Sequence, residues 1–318
     1  MLYAIDASIY IFQAYFAFTQ HNGEGFVSSS DRPVNAVYGF TNWLTNFLIN
    51  ENPNHIVACF DESLETGFRH EIDPLYKSNR ELPDEDLAYE LLACKKISEL
   101  LGLLSVGSEK YEADDLIASA IYEACEADHD SCVISRDKDL LQLTGLPTLQ
   151  EYFKANRTCE VCVWHYPKEQ RMFASDVYQK FGIRPELFAD YLAIVGDTAD
   201  AIEGVPGIGP KTVANLFEHY CGWDELSRNV ENVHSSKIRG AKRVESLLIE
   251  YKDRVDHNLH LTRLIYDVFK QNEYASFSER GFDRERPDID LLHTLFDEFN
   301  FPKHLYKRVE MIVDVFNG

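Results

Sequence analysis

"HIVACFD", residues 55–61, is an apolar run closed by an aspartate. "LYAID", residues 2–6, closes the same way, and "CVISRDKD", residues 132–139, carries Asp137 and Asp139 directly after its apolar part. Short apolar runs bounded by polar residues read as strands. Between them lie "VYGFTNWLTNFLIN", "LAYELLACKKISELLG" and "ADDLIASAIYEACEA", whose apolar residues recur at helical spacing. Strands alternating with helices imply βαβ units, and so an α/β fold with a mostly parallel central sheet flanked by helices. Parallel strands end at a common edge, where open α/β sheets place their sites. Asp6, Asp61, Asp137 and Asp139 are therefore expected on one rim.

"YEADDLIASA", residues 111–120, adds Glu112, Asp114 and Asp115 at the start of the helix after "GLLSVGSEKY". Two like charges ~4 Å apart oppose each other by about 4 kcal/mol at an effective dielectric of ~20. The positive end of the helix relieves part of this. "GDTADAIEG" ends a long helical stretch and brings Asp197 and Asp200 within reach of the rim. A lone acidic residue is most often a solvated surface group or a helix cap, and Asp139 before "LLQL" would cap well. The set is different: its carboxylates are spaced for cations. Hard divalent ions prefer oxygen ligands, and two of them ~3.5–4 Å apart form the clamp used in phosphodiester cleavage.

The chain of 318 residues is 45% hydrophobic, which suits one large domain or two closely joined ones. No apolar run approaches the ~20 residues that span a bilayer. The opening "MLYAIDASIY" lacks the features of a secretory leader. The odd number of cysteines, seven, reads as reduced thiols in a cytoplasmic protein. Lys and Arg total 31 against 53 Asp and Glu, a formal charge of -22. Alone, that argues against a nucleic-acid partner. Screening over ~8 Å still leaves room for a local basic surface, and bound metal would cancel part of the acidic excess. Residues 1–170 are expected to form the α/β part, with "TLQEYF" and "EVCVWHY" as a hairpin extending the sheet. Residues 171–318 read as helical, with "FSERGFDRERPD" as a charged surface loop before a last helix, "IDLLHTLFDEFNF".

"GVPGIGPKTVANLF", residues 204–217, is the second informative stretch. Gly204, Gly207 and Gly209 permit a tight turn with positive φ, and Pro210 suits a helix start. Exposed N–H groups there would bind a phosphate oxygen, with Lys211 adding charge. The string resembles a helix–hairpin–helix, a sequence-independent binder of the DNA backbone. "HSSKIRGAKR" supplies Lys237, Arg239, Lys242 and Arg243, able to track a duplex nearby. In "FRHEIDPLYKSNRELPDEDL", Arg69, Lys77 and Arg80 begin near the acidic rim and could contact the scissile phosphate, while Tyr76 could stack on an unpaired base. "CEVC" is not a zinc site: no second pair exists, and positions i and i+3 of a strand face opposite ways.

In order along nearly the whole chain, these motifs resemble those of the 5′ nucleases of the flap endonuclease superfamily, among them the 5′-nuclease domain of bacterial DNA polymerase I. The strings that carry the likeness are "YAIDASIYIFQAYFA", "ACFDESLETGFRHEIDPLYKSNRELPDEDL", "YEADDLIASAI", "VISRDKDLLQL" and "GDTADAIEGVPGIGPKTVANLF". The resemblance implies a PIN-like catalytic domain with a helical arch around 70–100, then a helical region with a hairpin motif (H3TH) around 196–240. It implies a stand-alone enzyme of replication or repair, a monomer remote from membranes, that hydrolyses DNA at 5′ ends, flaps or nicks. Two Mg²⁺ are implied, with Mn²⁺ as a substitute. Asp6, Asp61, Glu112 and Asp114 match one metal group. Asp137, Asp139, Asp197 and Asp200 match the other, with Asp114 able to bridge and Asp115 a further acidic position. Arg69, Lys77 and Arg80 match basic residues at the arch entrance, with Tyr76 at the gateway. The glycine hairpin matches the duplex-binding motif, which also implies a K⁺ held by backbone carbonyls. This chain departs from the family in having Ala199 and Ala201 where Ser and Asn are frequent, and Glu203 where Pro is usual. The competing readings are a binder of branched DNA that has lost catalysis and a single-strand ribonuclease domain. The full carboxylate set weighs against the first, and the hairpin and the length against the second.

Overall fold

The computed structural model describes residues 1–19, 25–63, 66–80, 83–149, 158–167, 170–236 and 238–317. Strands β1 (Leu2–Asp6), β2 (His55–Asp61), β3 (Leu104–Ser108), β4 (Ser131–Ile134) and β5 (Val161–Trp164) lie parallel in the order β3-β2-β1-β4-β5. A short β6 (Arg171–Met172) pairs antiparallel with β5. Side chains alternate across the sheet. Ala4, Val57, Cys59, Val133 and Val163 face one apolar cluster, while Ile5, Ile56, Ala58, Phe60 and Ile134 face another.

Helices cover both faces. One carries α1 (Ala7–Thr19), α2 (Asn35–Glu51) and, beyond the short α3 (Phe68–Ile72), α4 (Glu85–Leu100). The other carries α5 (Ala113–Glu126) and a 3₁₀ segment, Asp139–Thr148. Phe40 and Phe47 of α2 are wholly buried, each contributing about 1.5–3 kcal/mol of transfer free energy. Segment 70–100, expected as an arch, consists of the end of α3, the turned stretch Asp73–Arg80 and α4. Leu87, Cys94 and Ile97 of α4 are buried, so this helix is part of the core.

The chain continues through α6 (Ala174–Phe181) and α7 (Phe188–Val195) to a two-stranded ribbon, β7 (Gly196–Asp197) with β8 (Ile202–Glu203). Helices α8 (Pro210–Phe217), α9 (Trp223–Arg228), α10 (Ala241–Glu250) and α11 (Lys252–Thr262) follow. No helix among the described residues is long and apolar enough to cross a membrane.

Two sequence expectations change, and a third lies largely outside the described residues. β5 has β6 as its antiparallel neighbour, and most of "TLQEYF", read as a hairpin strand, lies outside the described residues. "FSERGFDRERPD" is not simply a surface loop. It begins in α12 (Ala275–Arg280), and then Arg284 donates its N–H to the Asn54 carbonyl and buries its side chain. "IDLLHTLFDEFNF" gives α13 (Ile289–Glu298), which is not the last helix: α14 (Lys303–Asn317) follows. Both return to the α/β layer, with Phe296, Leu305 and Val309 in the same cluster as Phe40 and Phe47. Cys162 of β5 and Cys159, two residues before that strand, lie in opposite clusters.

Candidate active site

The sheet register decides where the carboxylates fall. Asp6 ends β1 opposite Cys59, and Asp61 ends β2 opposite Ser108 of β3. The chain leaves β4 through Ser135, whose hydroxyl donates to Asp6 Oδ2 at 2.7 Å. Ser63 Oγ donates to Asp61 Oδ1 at 2.7 Å, and the Asp61 N–H donates to Ser8 Oγ at 2.8 Å. Glu112 and Asp114 enter from the N-terminus of α5. Asp137 accepts the Asp139 N–H at 2.9 Å. Asp6, Asp61, Glu112, Asp114 and Asp137 line a cavity of about 170 Å³, with Ser8, Lys77 and Arg80 also on its wall.

Crowding and burial set the charge states. Burial, opposed by the Ser135 hydrogen bond and assisted by Asp137 and Asp61, raises Asp6 to about 6. Asp114 is pushed well above the usual carboxylate range by burial and then by Asp137 and Asp6. Asp139 is pushed the same way by burial, Asp137, Asp197 and Asp200. Its Oδ1 is buried without a hydrogen-bond partner, and the 3₁₀ segment it begins has no side-chain cap. Glu112 goes the other way: burial opposes its charge, but Lys77 and Arg69 overcome that and hold it at about 2. Lys77 Nζ is 2.7 Å from Glu112 Oε1 and 3.9 Å from Asp200 Oδ2.

Asp197 ends β7, and Asp200 sits in the turn of the β7–β8 ribbon. Asp197 Oδ1 pairs with Lys138 at 2.9 Å, and Asp200 pairs with Arg80. Asp197 and Lys138 line a neighbouring cleft of about 690 Å³ together with Gly204, Pro206 and Arg254. Among the described residues, no three of the His, Cys, Asp and Glu side chains converge as they stand on one point fit for an ion. Lys77, Arg80 and Lys138 draw individual oxygens aside instead. The donor set nevertheless fits hard divalent cations. It is all oxygen, several of its members are raised by burial and by one another's charge, and Asp139 Oδ1 is orphaned.

Three expected roles do not survive the geometry. Asp115 is fully buried and bound by both Arg69 Nη atoms, at 2.6 and 2.8 Å, behind the cavity rather than in it. Arg69 is buried too, and donates further to the carbonyls of Leu261 and Arg263, so it has no free edge for a phosphate. Tyr76 is only 3% exposed, and its hydroxyl contacts Glu112 at 3.1 Å and Asp200 at 3.2 Å, which leaves no face for stacking on a base.

The glycine turn carries different chemistry. A Cβ on Gly204 would come within 2.2 Å of Val195, and Gly207 has φ +85°, so both positions require glycine. Gly209 does not: its backbone is extended at the start of α8, with open space where a Cβ would go. Pro210 is the first residue of α8, and Lys211 is exposed. Arg239, Lys242 and Arg243 are exposed, and Arg243 Nη2 lies 3.3 Å from where a Gly207 Cβ would stand. Lys237 lies outside the described residues.

Sequence reasoning missed Ser8, Ser63, Ser135, Lys138 and Arg254. The serines had a signal: "DAS" after β1 and "DES" after β2 repeat an aspartate and serine two apart. Arg254 had none, because its partners lie some fifty residues back.

Residues 1–182 match the family described as 5′-3′ exonuclease, N-terminal resolvase-like domain, and residues 183–285 match 5′-3′ exonuclease, C-terminal SAM fold. A 5′-3′ exonuclease of Aquifex aeolicus is 30% identical over 98% of this chain and 96% of its own. DNA polymerase I of Mycobacterium tuberculosis is 31% identical over 94% of this chain but 30% of its own length. A crystal structure of the T5 D15 protein co-crystallised with metal ions shares the fold, with a TM-score of 0.59 and 18% identity over 99% of this chain and 98% of that one. With an α/β half and a helical half each matched in order, the chain belongs to the 5′-3′ exonuclease family, a family of nucleases.

Proposed function

We propose that the chain hydrolyses DNA phosphodiester bonds at 5′ ends, flaps or nicks, as a monomer, with the α/β half cutting and the helical half gripping duplex. The observation that carries this reading is the cavity in which Asp6, Asp61, Glu112, Asp114 and Asp137 meet, with Lys77 and Arg80 on its wall. Two Mg²⁺, or Mn²⁺ in their place, would supply an activated water and a counter-charge for the phosphate. Asp6, Asp61, Glu112 and Asp114 would hold one ion, and Asp137, Asp139, Asp197 and Asp200 the other. Lys77 and Arg80 would move from carboxylate to phosphate oxygens once those carboxylates are engaged. Buried Arg69 and Asp115 fix the frame from behind.

The turn at Gly204–Gly207 and the start of α8, with Lys211, Arg239, Lys242 and Arg243, would take the duplex backbone, with K⁺ at the turn carbonyls. Such a grip is local, so the overall charge of -22 does not forbid it. The free thiols fit a reducing, cytoplasmic setting. End-labelled 5′-flap, nicked and single-stranded DNA, incubated with protein in Mg²⁺ or EDTA, test the reading. Cleavage near the 5′ end or branch in Mg²⁺ alone is expected. Stable binding of branched DNA without cleavage would point instead to a binding protein.

A further inference from the structure

Between the acidic cavity and the glycine turn lies the 690 Å³ cleft, lined by Lys138, Asp197, Glu203, Gly204, Pro206 and Arg254 among others. A DNA strand held at the turn and cut at the carboxylates must cross it. The cleft has two cations, and each has a carboxylate partner. Lys138 is tied to Asp197, a proposed metal-holding residue. Arg254 is tied to Glu203, which has no such role: Arg254 Nη1 lies 3.2 Å from Glu203 Oε2. The same nitrogen donates to the Gly204 carbonyl at 3.2 Å, so Arg254 is anchored at the root of the turn whether or not Glu203 is present. Asn258, one helical turn along α11, fixes the Glu203 carbonyl at 2.9 Å. The backbone of Glu203 is thus held while its side chain, 81% exposed, is free to swing.

We infer that Glu203 is a built-in competitor of DNA phosphate for Arg254, weakening the grip of the duplex next to the cut site. A carboxylate offers a guanidinium the same two-oxygen face as a phosphate. An exposed pair of this kind is weak, so phosphate can displace Glu203, but the displaced carboxylate remains beside the incoming anion. Arg254 is a positioning residue in this account, and Glu203 sets how readily it engages. The inference rests on the nuclease reading above.

Binding of a nicked duplex in EDTA, followed by fluorescence anisotropy across a salt series, tests it without cleavage. Glu203→Gln should bind about three- to tenfold more tightly at low salt, and its log affinity should fall more steeply with log salt, by about 0.9, the slope of one added phosphate contact. In an Arg254→Gln background, which keeps a donor for the Gly204 carbonyl, the same change should give no such gain. Equal affinity and slope for wild type and Glu203→Gln would overturn the inference, as would the same gain with or without Arg254. If Arg254→Gln melts early, the salt slope of Glu203→Gln alone decides. Lys211→Glu separates the two readings. Duplex binding by wild type that this variant weakens, with no effect of Glu203→Gln, removes only the Glu203 inference. Absence of duplex binding by the wild type removes the nuclease reading with it.

Discussion

The acidic cavity and the glycine turn are built by opposite means. The cavity is made of side chains fixed from below. Its carboxylates stand on strand ends and a helix start, held by Ser8, Ser63 and Ser135. The turn is made of backbone, with Gly204 and Gly207 there for what a side chain would obstruct. Its cations, Lys211, Arg239 and Lys242, are exposed and act by position alone. The difference teaches that the site of chemistry stores unfavourable charge, which its own cations relieve only in part, whereas the gripping surface stores almost nothing.

The largest expected effect breaks the cavity side of that contrast. Asp114→Asn should lower cleavage in Mg²⁺ by about a thousandfold or more while duplex affinity in EDTA stays within twofold or so of wild type. Near-normal turnover in a single-turnover assay would show that the crowded carboxylates are not the catalytic centre. Next in size is the frame behind the cavity. Arg69→Met strands Asp115 as an uncompensated buried charge and should cost about 3–5 kcal/mol in urea unfolding. Arg69→Met with Asp115→Leu should recover much of that loss. If the single variant were fully stable yet inactive, Arg69 would act on the substrate after all.

The contrast also explains what could be read from sequence. The parallel sheet and its acidic rim were legible because apolar runs such as "HIVACFD" place their last residue at a fixed edge once the strands are parallel. Gly207 and Pro210 were legible because their backbone constraints are local. The fates of Asp115, Arg69 and Tyr76 were not. Asp114 and Asp115 are adjacent and chemically alike, but a helix turns about 100° between them, and only the packing of the Leu261–Arg263 segment decides which one meets an arginine. Tyr76 was misread because its spacing from Glu112 and Asp200 in sequence says nothing of their meeting. "FSERGFDRERPD" looked like a surface loop because its charge hid the backbone pairing with Asn54 and the burial of Arg284.

A smaller effect sharpens the turn side. Lys211→Glu should weaken duplex binding about tenfold at low salt and flatten the salt dependence by about one phosphate contact, with thermal stability unchanged, since Lys211 is exposed. An unaltered slope in the anisotropy titration would take Lys211 out of the interface.

The smallest effect lies where the two regions join. Ala201 occupies the turn of the β7–β8 ribbon with φ +57°, a left-handed conformation that disfavours a Cβ by about 1 kcal/mol. Asparagine tolerates that conformation better, because its short polar side chain can hydrogen-bond locally. Ala201→Asn should therefore raise unfolding stability by about 0.5–1 kcal/mol, read as a higher urea midpoint at unchanged slope. Asp197 and Asp200 both lie just before this residue, Asp200 directly adjacent to it. If Ala201→Asn also altered cleavage while the midpoint stayed fixed, the strain would belong to how the ribbon aims those carboxylates rather than to the fold. A raised midpoint with unchanged cleavage would show that the ribbon holds the two aspartates in place without help from the strained residue that follows them.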